Sequence, residues 1–232
     1  TTSIFSTYLN ATHQLKIYLP PGYNRNSSVL YPTVYFQDGF EYIDLASAIN
    51  VIDNLIDSNK IQSVIAVFVE PNNRNNEYGG NLREEYQLFF IEELVPFIDS
   101  NYNIINDPDK RLVAGASLGG NISALISYNN PGVFANCRIH SGALWVNNNE
   151  ALNLIINGPL NNIKWSSIWG SYESTIASDM RIFRDALITK GYQIDWLELP
   201  EGHSWGLWRA TIDRMLEYFF PAGAYNINYE GS

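Results

Sequence analysis

Short apolar runs alternate with longer amphipathic ones along this chain, and that alternation predicts strands separated by helices. Six runs read as strands: Leu15–Leu19, Thr33–Gln37, Val64–Val69, Leu112–Ala114, Lys164–Trp169 and Gln193–Leu199. Five stretches carry the helical period: Asp44–Asp57, Glu84–Ser100, Leu118–Asn129, Thr175–Lys190 and Leu207–Phe220. In the second of these, Phe89, Phe90, Leu94, Phe97 and Ile98 recur near helical spacing and are expected to face the core. The Asn-rich patches Asn72–Asn76 and Asn147–Asn149 read as loops. Strand–helix alternation of this kind implies an α/β domain with a mostly parallel central sheet and helices on both faces. Residues 1–221 are expected to form that one domain, and 222–232, where periodicity is lost, a tail or the start of a linker.

Composition narrows the partners. Lys and Arg total 14 against 24 Asp and Glu, a net charge of −10 with no basic run. Such a balance argues against nucleic acid and anionic membrane as partners. No stretch approaches the roughly 20 apolar residues of a membrane-spanning helix. The single cysteine, Cys137, lies in the apolar stretch Val133–Ile139 and reads as a buried structural thiol. The chain opens at Thr1 without a methionine, as a mature or trimmed form does. An extracellular or periplasmic setting is expected on that ground, with a cytoplasmic one left open.

The most informative segment is Lys110–Leu125, in which an apolar strand runs into Gly115-Ala116-Ser117-Leu118-Gly119 and a helix follows. A serine on a sharp strand-to-helix turn, flanked two residues away by glycines, is the nucleophile elbow of α/β hydrolases. Side chains at the glycine positions would collide with the neighbouring strand and helix. The turn exposes the Ser117 hydroxyl above the carboxyl edge of the sheet, and the N–H of Leu118 points the same way from a helix start that favours negative charge. An ordinary Gly-rich turn with a capping serine has the same letters; the strand–turn–helix context favours the elbow.

A serine hydroxyl needs a base, and the chain has only His13, His140 and His203. The order Ser, acid, His in this fold excludes His13. His140 reads as a packed or pocket-wall residue near a strand end. His203, in the loop after the last strong strand, is the expected base. The expected acid is Glu173, just beyond the strand ending at Trp169, where it would accept the imidazole N–H; the alternative role for Glu173 is the first turn of the next helix. Asp195 lies mid-strand and Asp179 mid-helix. The second oxyanion donor is expected from the turn Asp38-Gly39-Phe40, with the Phe40 N–H as candidate and Gly39 as alternative. Three scattered histidines offer no metal cluster, and neither metal nor cofactor is expected.

With these residues in place, the chain resembles the esterase D superfamily, and within it the enterochelin-esterase-like branch. The resemblance rests on Pro20-Pro21-Gly22-Tyr23, on Tyr31 through Gly39, on Arg74, Glu77, Tyr78 and Asn81, on Gly115 through Gly120, and on Gly202-His203 with Trp208-Arg209. It covers nearly the whole chain. It implies a carboxylic ester hydrolase working through an acyl-enzyme on Ser117, with feruloyl or acetyl xylan esterase activity on plant polysaccharide as the alternative and acyl transfer as a variant. The substrate is then a small-molecule or polysaccharide-linked ester. Substrate contacts are expected at Arg74, Tyr78, Trp145, Trp205 and Arg209, and an aromatic rim of Phe40, Tyr42, Tyr78, Trp145 and Trp205 would suit an aromatic acyl group. Arg74 and Glu77 also read as an ion pair bracing their loop. A reading from another class, a binding module on an inactive scaffold, predicts loss of the serine or histidine, and both are present.

Overall fold

The computed structural model describes residues 1–223. Eight strands form one sheet: β1 (Thr2–Ser6), β2 (Ala11–Tyr18), β3 (Thr33–Phe36), β4 (Ile65–Val69), β5 (Arg111–Ala116), β6 (Asn136–His140), β7 (Lys164–Gly170) and β8 (Gln193–Leu199). Their order across the sheet is β1-β2-β4-β3-β5-β6-β7-β8. β1 and β2 run antiparallel, and every pairing from β4 through β8 is parallel. This is the mostly parallel α/β sheet the pattern predicts. β1 and β6 escape a reading of apolar runs. β1 (Thr-Ser-Ile-Phe-Ser) is half exposed at the sheet edge, and β6 (Asn-Cys-Arg-Ile-His) is buried throughout despite three polar residues.

Among the described residues, ten α-helices connect or follow the strands: α1 (Gly39–Asp44), α2 (Ala48–Asp57), α3 (Arg74–Tyr78), α4 (Arg83–Leu88), α5 (Val95–Asn101), α6 (Leu118–Asn129), α7 (Val146–Asn157), α8 (Thr175–Lys190), α9 (Trp205–Arg209) and α10 (Ile212–Phe219). Three of the expected long helices are broken. Ser47, with φ 53°, separates α1 from α2. A π-helical turn at Phe89–Leu94 joins α4 to α5 just ahead of Pro96, which can neither donate a hydrogen bond nor sit against the carbonyl a turn earlier. Ala210 and Thr211 part α9 from α10. Of the five residues expected to face the core in this region, Phe89, Phe90, Leu94 and Ile98 are buried and Phe97 is half-buried. Asn73–Asn76, expected as loop, enters α3 with Asn73 as its N-cap. Asn147–Asn149 keep left-handed backbone at φ 50–61° before α7 becomes regular. The tail expected at 222–232 lies outside the described residues from position 224 onwards.

The sheet divides the core in two by strict alternation. Tyr35, Ile65, Val67, Val69, Val113, Cys137 and Ile139 face the side covered by α4 through α8. Val34, Phe36, Ala66, Phe68, Leu112 and Ala114 face α1, α2, α9 and α10. Cys137 is fully buried, as expected, and burial pushes its thiol well up. No helix among the described residues is long and apolar enough to cross a membrane.

The strand order creates the working crevice. β4 lies on one side of β3 and β5 on the other, so the chain reverses its direction of growth between β3 and β5. Connections leaving the carboxyl ends of these two strands diverge, and the gap is where open α/β sheets place ligands. Phe36 and Phe68 stack beneath this point at 5.0 Å. Phe68→Ala is expected to cost about 3–5 kcal/mol, read as a lowered urea midpoint with an unchanged slope.

Candidate active site

β5 ends at Ala116, and Ser117 turns the chain into α6 with φ 57° and ψ −118°. A non-glycine residue held there is strained, and the surroundings must enforce it. The Ser117 N–H donates to the His140 carbonyl at 2.9 Å, and the Ser117 carbonyl accepts from Ala143 N–H at 2.9 Å and Asn121 N–H at 3.1 Å. Both glycines of the motif are needed for space. A Cβ on Gly115 would lie 2.2 Å from the Gly119 carbonyl oxygen. One on Gly119 would lie 3.0 Å from an Asp38 carboxylate oxygen and 3.2 Å from Gln37 Cβ. The elbow thus packs against itself and against the β3–α1 turn. Leu118 opens α6, where the first N–H groups have no acceptor within the helix.

The structure brings Glu173 and His203 together. β7 ends at Gly170, where a Cβ would meet the Glu201 carbonyl oxygen at 2.1 Å, so the strand end and the His203 loop interlock. One Glu173 carboxylate oxygen accepts the Gly170 N–H at 2.8 Å, and the other faces His203 Nδ1 at 2.9 Å. The Glu173 side chain is fully buried, while that of His203 is 36% exposed. Glu173 precedes the N-cap of α8, Ser174, and so lies outside the first helical turn. Asp195 is taken by Arg214 and by the Ser166 hydroxyl, which donates to it at 3.1 Å. Asp179 stays mid-helix in α8.

Two further contacts tie His203 to the elbow. The His203 ring meets the Trp208 indole edge-on at 4.9 Å. Trp208 Nε1 donates to the Ser141 hydroxyl at 2.9 Å, and Ser141 follows the residue whose carbonyl holds Ser117. His140 itself is packed. Its Nε2 accepts from Arg138 at 3.1 Å, which leaves the Nδ1 proton for the Tyr42 hydroxyl at 2.8 Å. Burial, and then the Arg138 charge, hold its imidazole well below the usual histidine range, so it stays neutral.

The β3–α1 turn lies across the crevice. Asp38 is 2% exposed with left-handed backbone at φ 53°. Arg74 grips both of its carboxylate oxygens, Nε to one at 2.7 Å and Nη2 to the other at 2.8 Å. Beside Phe40, the expected oxyanion donor, burial pushes the Glu70 carboxyl up and the Phe40 amide pulls it back. Gly39 is wedged on β4, where a Cβ would lie 2.4 Å from the backbone at Phe68 and Val69.

Several expected substrate contacts are placed otherwise. Tyr78 is fully buried, and its hydroxyl accepts the Asp38 N–H at 3.0 Å, so it supports the turn from below. Tyr42 is fully buried too and leaves the aromatic rim. Arg74 and Glu77 do not pair with each other. Arg74 is bound to Asp38, while Glu77 meets His13 Nε2 at 3.2 Å and accepts the N–H groups of Asn72 and Asn73 at 3.2 and 3.0 Å. Arg209 lines a shallow groove with Val51, Asn54, Leu55 and Asp213, between α2 and α10. Trp145 remains 43% exposed, and Trp205 is half-buried against Tyr42 and Trp208. The sequence offered no sign of the Asp38–Arg74 pair or the Trp208–Ser141 bond, because both join residues far apart in the chain. Among the described residues, no group of His, Cys, Asp and Glu is arranged to hold a metal.

The model of the Esterase family, described as Putative esterase, matches residues 6–186. The chain belongs to this esterase family. It is 26% identical over 221 residues to the endo-1,4-beta-xylanase/feruloyl esterase of Xylanibacter ruminicola, covering 88% of this chain and 29% of that one. The chain spans 62% and 29% of the lengths of two curated relatives it matches. A ferulic acid esterase superposes with a TM-score of 0.83 at 19% identity, over 94% of this chain and 96% of that one. The enterobactin esterase FES from Shigella flexneri, solved with 2,3-dihydroxy-N-benzoyl-glycine, superposes with a TM-score of 0.84 at 17% identity, over 94% and 58%. Both structures share the esterase α/β-hydrolase fold with this chain.

Within this esterase, Gly39→Ala is expected to be destabilising by about 1–3 kcal/mol, since the added carbon meets β4 backbone and not a movable side chain. A melting temperature below wild type checks this.

Proposed function

We propose that this protein hydrolyses carboxylic esters through an acyl-enzyme on Ser117, with His203 as general base and Glu173 as its acid partner. The observations that carry the reading are the Glu173–His203 bond at 2.9 Å and the strained elbow geometry of Ser117. With Nδ1–H directed at Glu173, Nε2 of His203 is the basic nitrogen. It takes the Ser117 proton as the hydroxyl oxygen attacks the ester carbonyl. The carbonyl oxygen becomes an oxyanion, stabilised by the Leu118 N–H and by the Phe40 N–H. The tetrahedral intermediate expels the alcohol, which receives its proton from His203. Water then repeats the sequence on the acyl-enzyme and frees Ser117.

The charges near the site favour an uncharged ester over a ferric catecholate. Arg74 is neutralised by Asp38, Arg138 is fully buried, and Arg209 lies in the α2–α10 groove. Lys16 lies over the Phe40 ring at 4.0 Å, but with these three arginines paired, buried or placed elsewhere, a chain of net charge −10 disfavours an anionic complex. Phe40, Trp145 and Trp205 are the remaining aromatic surfaces for an acyl group such as ferulate, the acyl group named for the feruloyl relatives. Action on polysaccharide-linked esters outside the cell follows from the same reading.

Ser117→Ala is expected to lower hydrolysis of a p-nitrophenyl ester by about 10⁴-fold or more; turnover near wild type would overturn the nucleophile. Glu173→Gln is expected to lower kcat by a factor on the order of 10²–10⁴ with little change in KM. In a kcat/KM comparison of methyl ferulate, acetylated xylan and a ferric catecholate trilactone, the ferulate ester is expected to lead. A lead for the trilactone would reverse the substrate assignment while leaving the chemistry in place.

A further inference from the structure

We propose that the Asp38–Arg74 ion pair is a latch that fixes the β3–α1 turn against the nucleophile elbow, making Arg74 a positioning residue for the oxyanion site. The inference rests on the serine-esterase reading above. Two backbone segments must supply oxyanion donors from opposite sides of the crevice. The elbow is held by its own bonds to His140 and Ala143. The Asp38–Phe40 turn has one local backbone bond, the Asp38 carbonyl accepting the Tyr42 N–H at 3.1 Å, which fixes the start of α1 but not its distance from the elbow. Its backbone is left-handed at Asp38, and its next residue is a glycine pressed on β4.

What holds it comes from elsewhere. The Tyr78 hydroxyl accepts the Asp38 N–H, and Arg74 takes both Asp38 carboxylate oxygens. The same Arg74 Nη2 also reaches the carbonyl of Ala116, the residue before Ser117, at 3.4 Å. One guanidinium therefore touches both segments that build the oxyanion site. The Asp38 carboxylate in turn lies against Gly119, the glycine that follows the nucleophile by two. Bidentate pairing fixes direction as well as distance, which a single ammonium contact would not. With Nε and Nη2 both committed, the residue is poorly placed to serve as an anion receptor for substrate.

A displaced donor weakens binding of the transition state and leaves ground-state binding largely intact. Arg74→Ala is therefore expected to lower kcat about 10²-fold, the scale of losing one oxyanion donor, with KM within about threefold of wild type. Arg74→Lys, which keeps charge but not the fork, is expected to fall about tenfold. Affinity for phenylboronic acid, which adds to the serine as a tetrahedral anion, should fall in parallel with kcat across both variants. Millimolar guanidinium should restore part of the Arg74→Ala rate, since that position is 35% exposed. A folded Arg74→Ala enzyme with normal kcat overturns the latch. So does a rise in KM alone, which would make Arg74 a substrate contact. If Arg74→Ala does not fold, Arg74→Lys carries the same two outcomes. Ser117→Ala separates the failures: an active Ser117→Ala enzyme refutes the underlying reading, whereas an inactive one beside a normal Arg74 variant refutes only the latch.

Discussion

The site depends on how closely two backbone turns approach each other above the centre of the sheet. α6 can leave β5 at the required angle only because the Gly115 Cα lies so near the Gly119 carbonyl that no side-chain carbon fits between them. Gly119 in turn admits Asp38 and Gln37 from the next strand. The Gly115 contact is with backbone, so no rotamer change relieves an added methyl group there, whereas at Gly119 the neighbours are the Asp38 and Gln37 side chains. Ser117 sits in an unfavourable backbone region because its neighbours leave nowhere else for it.

The rest of the fold makes this arrangement stable enough to persist. The parallel strands are buried on both faces by separate apolar layers, so the sheet edge on which the turns rest is rigid. Around the site itself the contacts are polar and paired. His140 is shared between Arg138 and Tyr42, Trp208 reaches Ser141, and Asp38 is divided between Arg74 and Tyr78. Buried polar groups satisfied in this way hold direction as apolar packing does not. Much of the aromatic and charged residue set near Ser117 is thereby used for support.

The family and the fold agree with the neighbours that share them, an enterobactin esterase and a ferulic acid esterase among solved structures. Fold alone does not choose between their substrates, because the same sheet and elbow serve both. The proposed preference for an uncharged ester rests instead on charge, since every arginine considered for the crevice has another occupation or another place.

Local pattern was enough for the strand–helix alternation, for the Ser117 elbow, and for the placement of His203 and Glu173 at strand ends. Each depends on residues within a few positions of one another, where steric rules act directly on the chain. The breaks in the long helices were less legible, since the π-helical turn before Pro96 and the left-handed Ser47 are answers to packing. The partners of Arg74, Glu77 and Tyr78 could not be read at all. Arg74 reaches 36 residues back to Asp38 and Tyr78 reaches 40. A sequence shows that such side chains can make hydrogen bonds, but burial and through-space distance decide with whom. Those are set only when β3, β4 and β5 come together, so the chemistry at this site was local in the sequence and its support was decided by the tertiary structure.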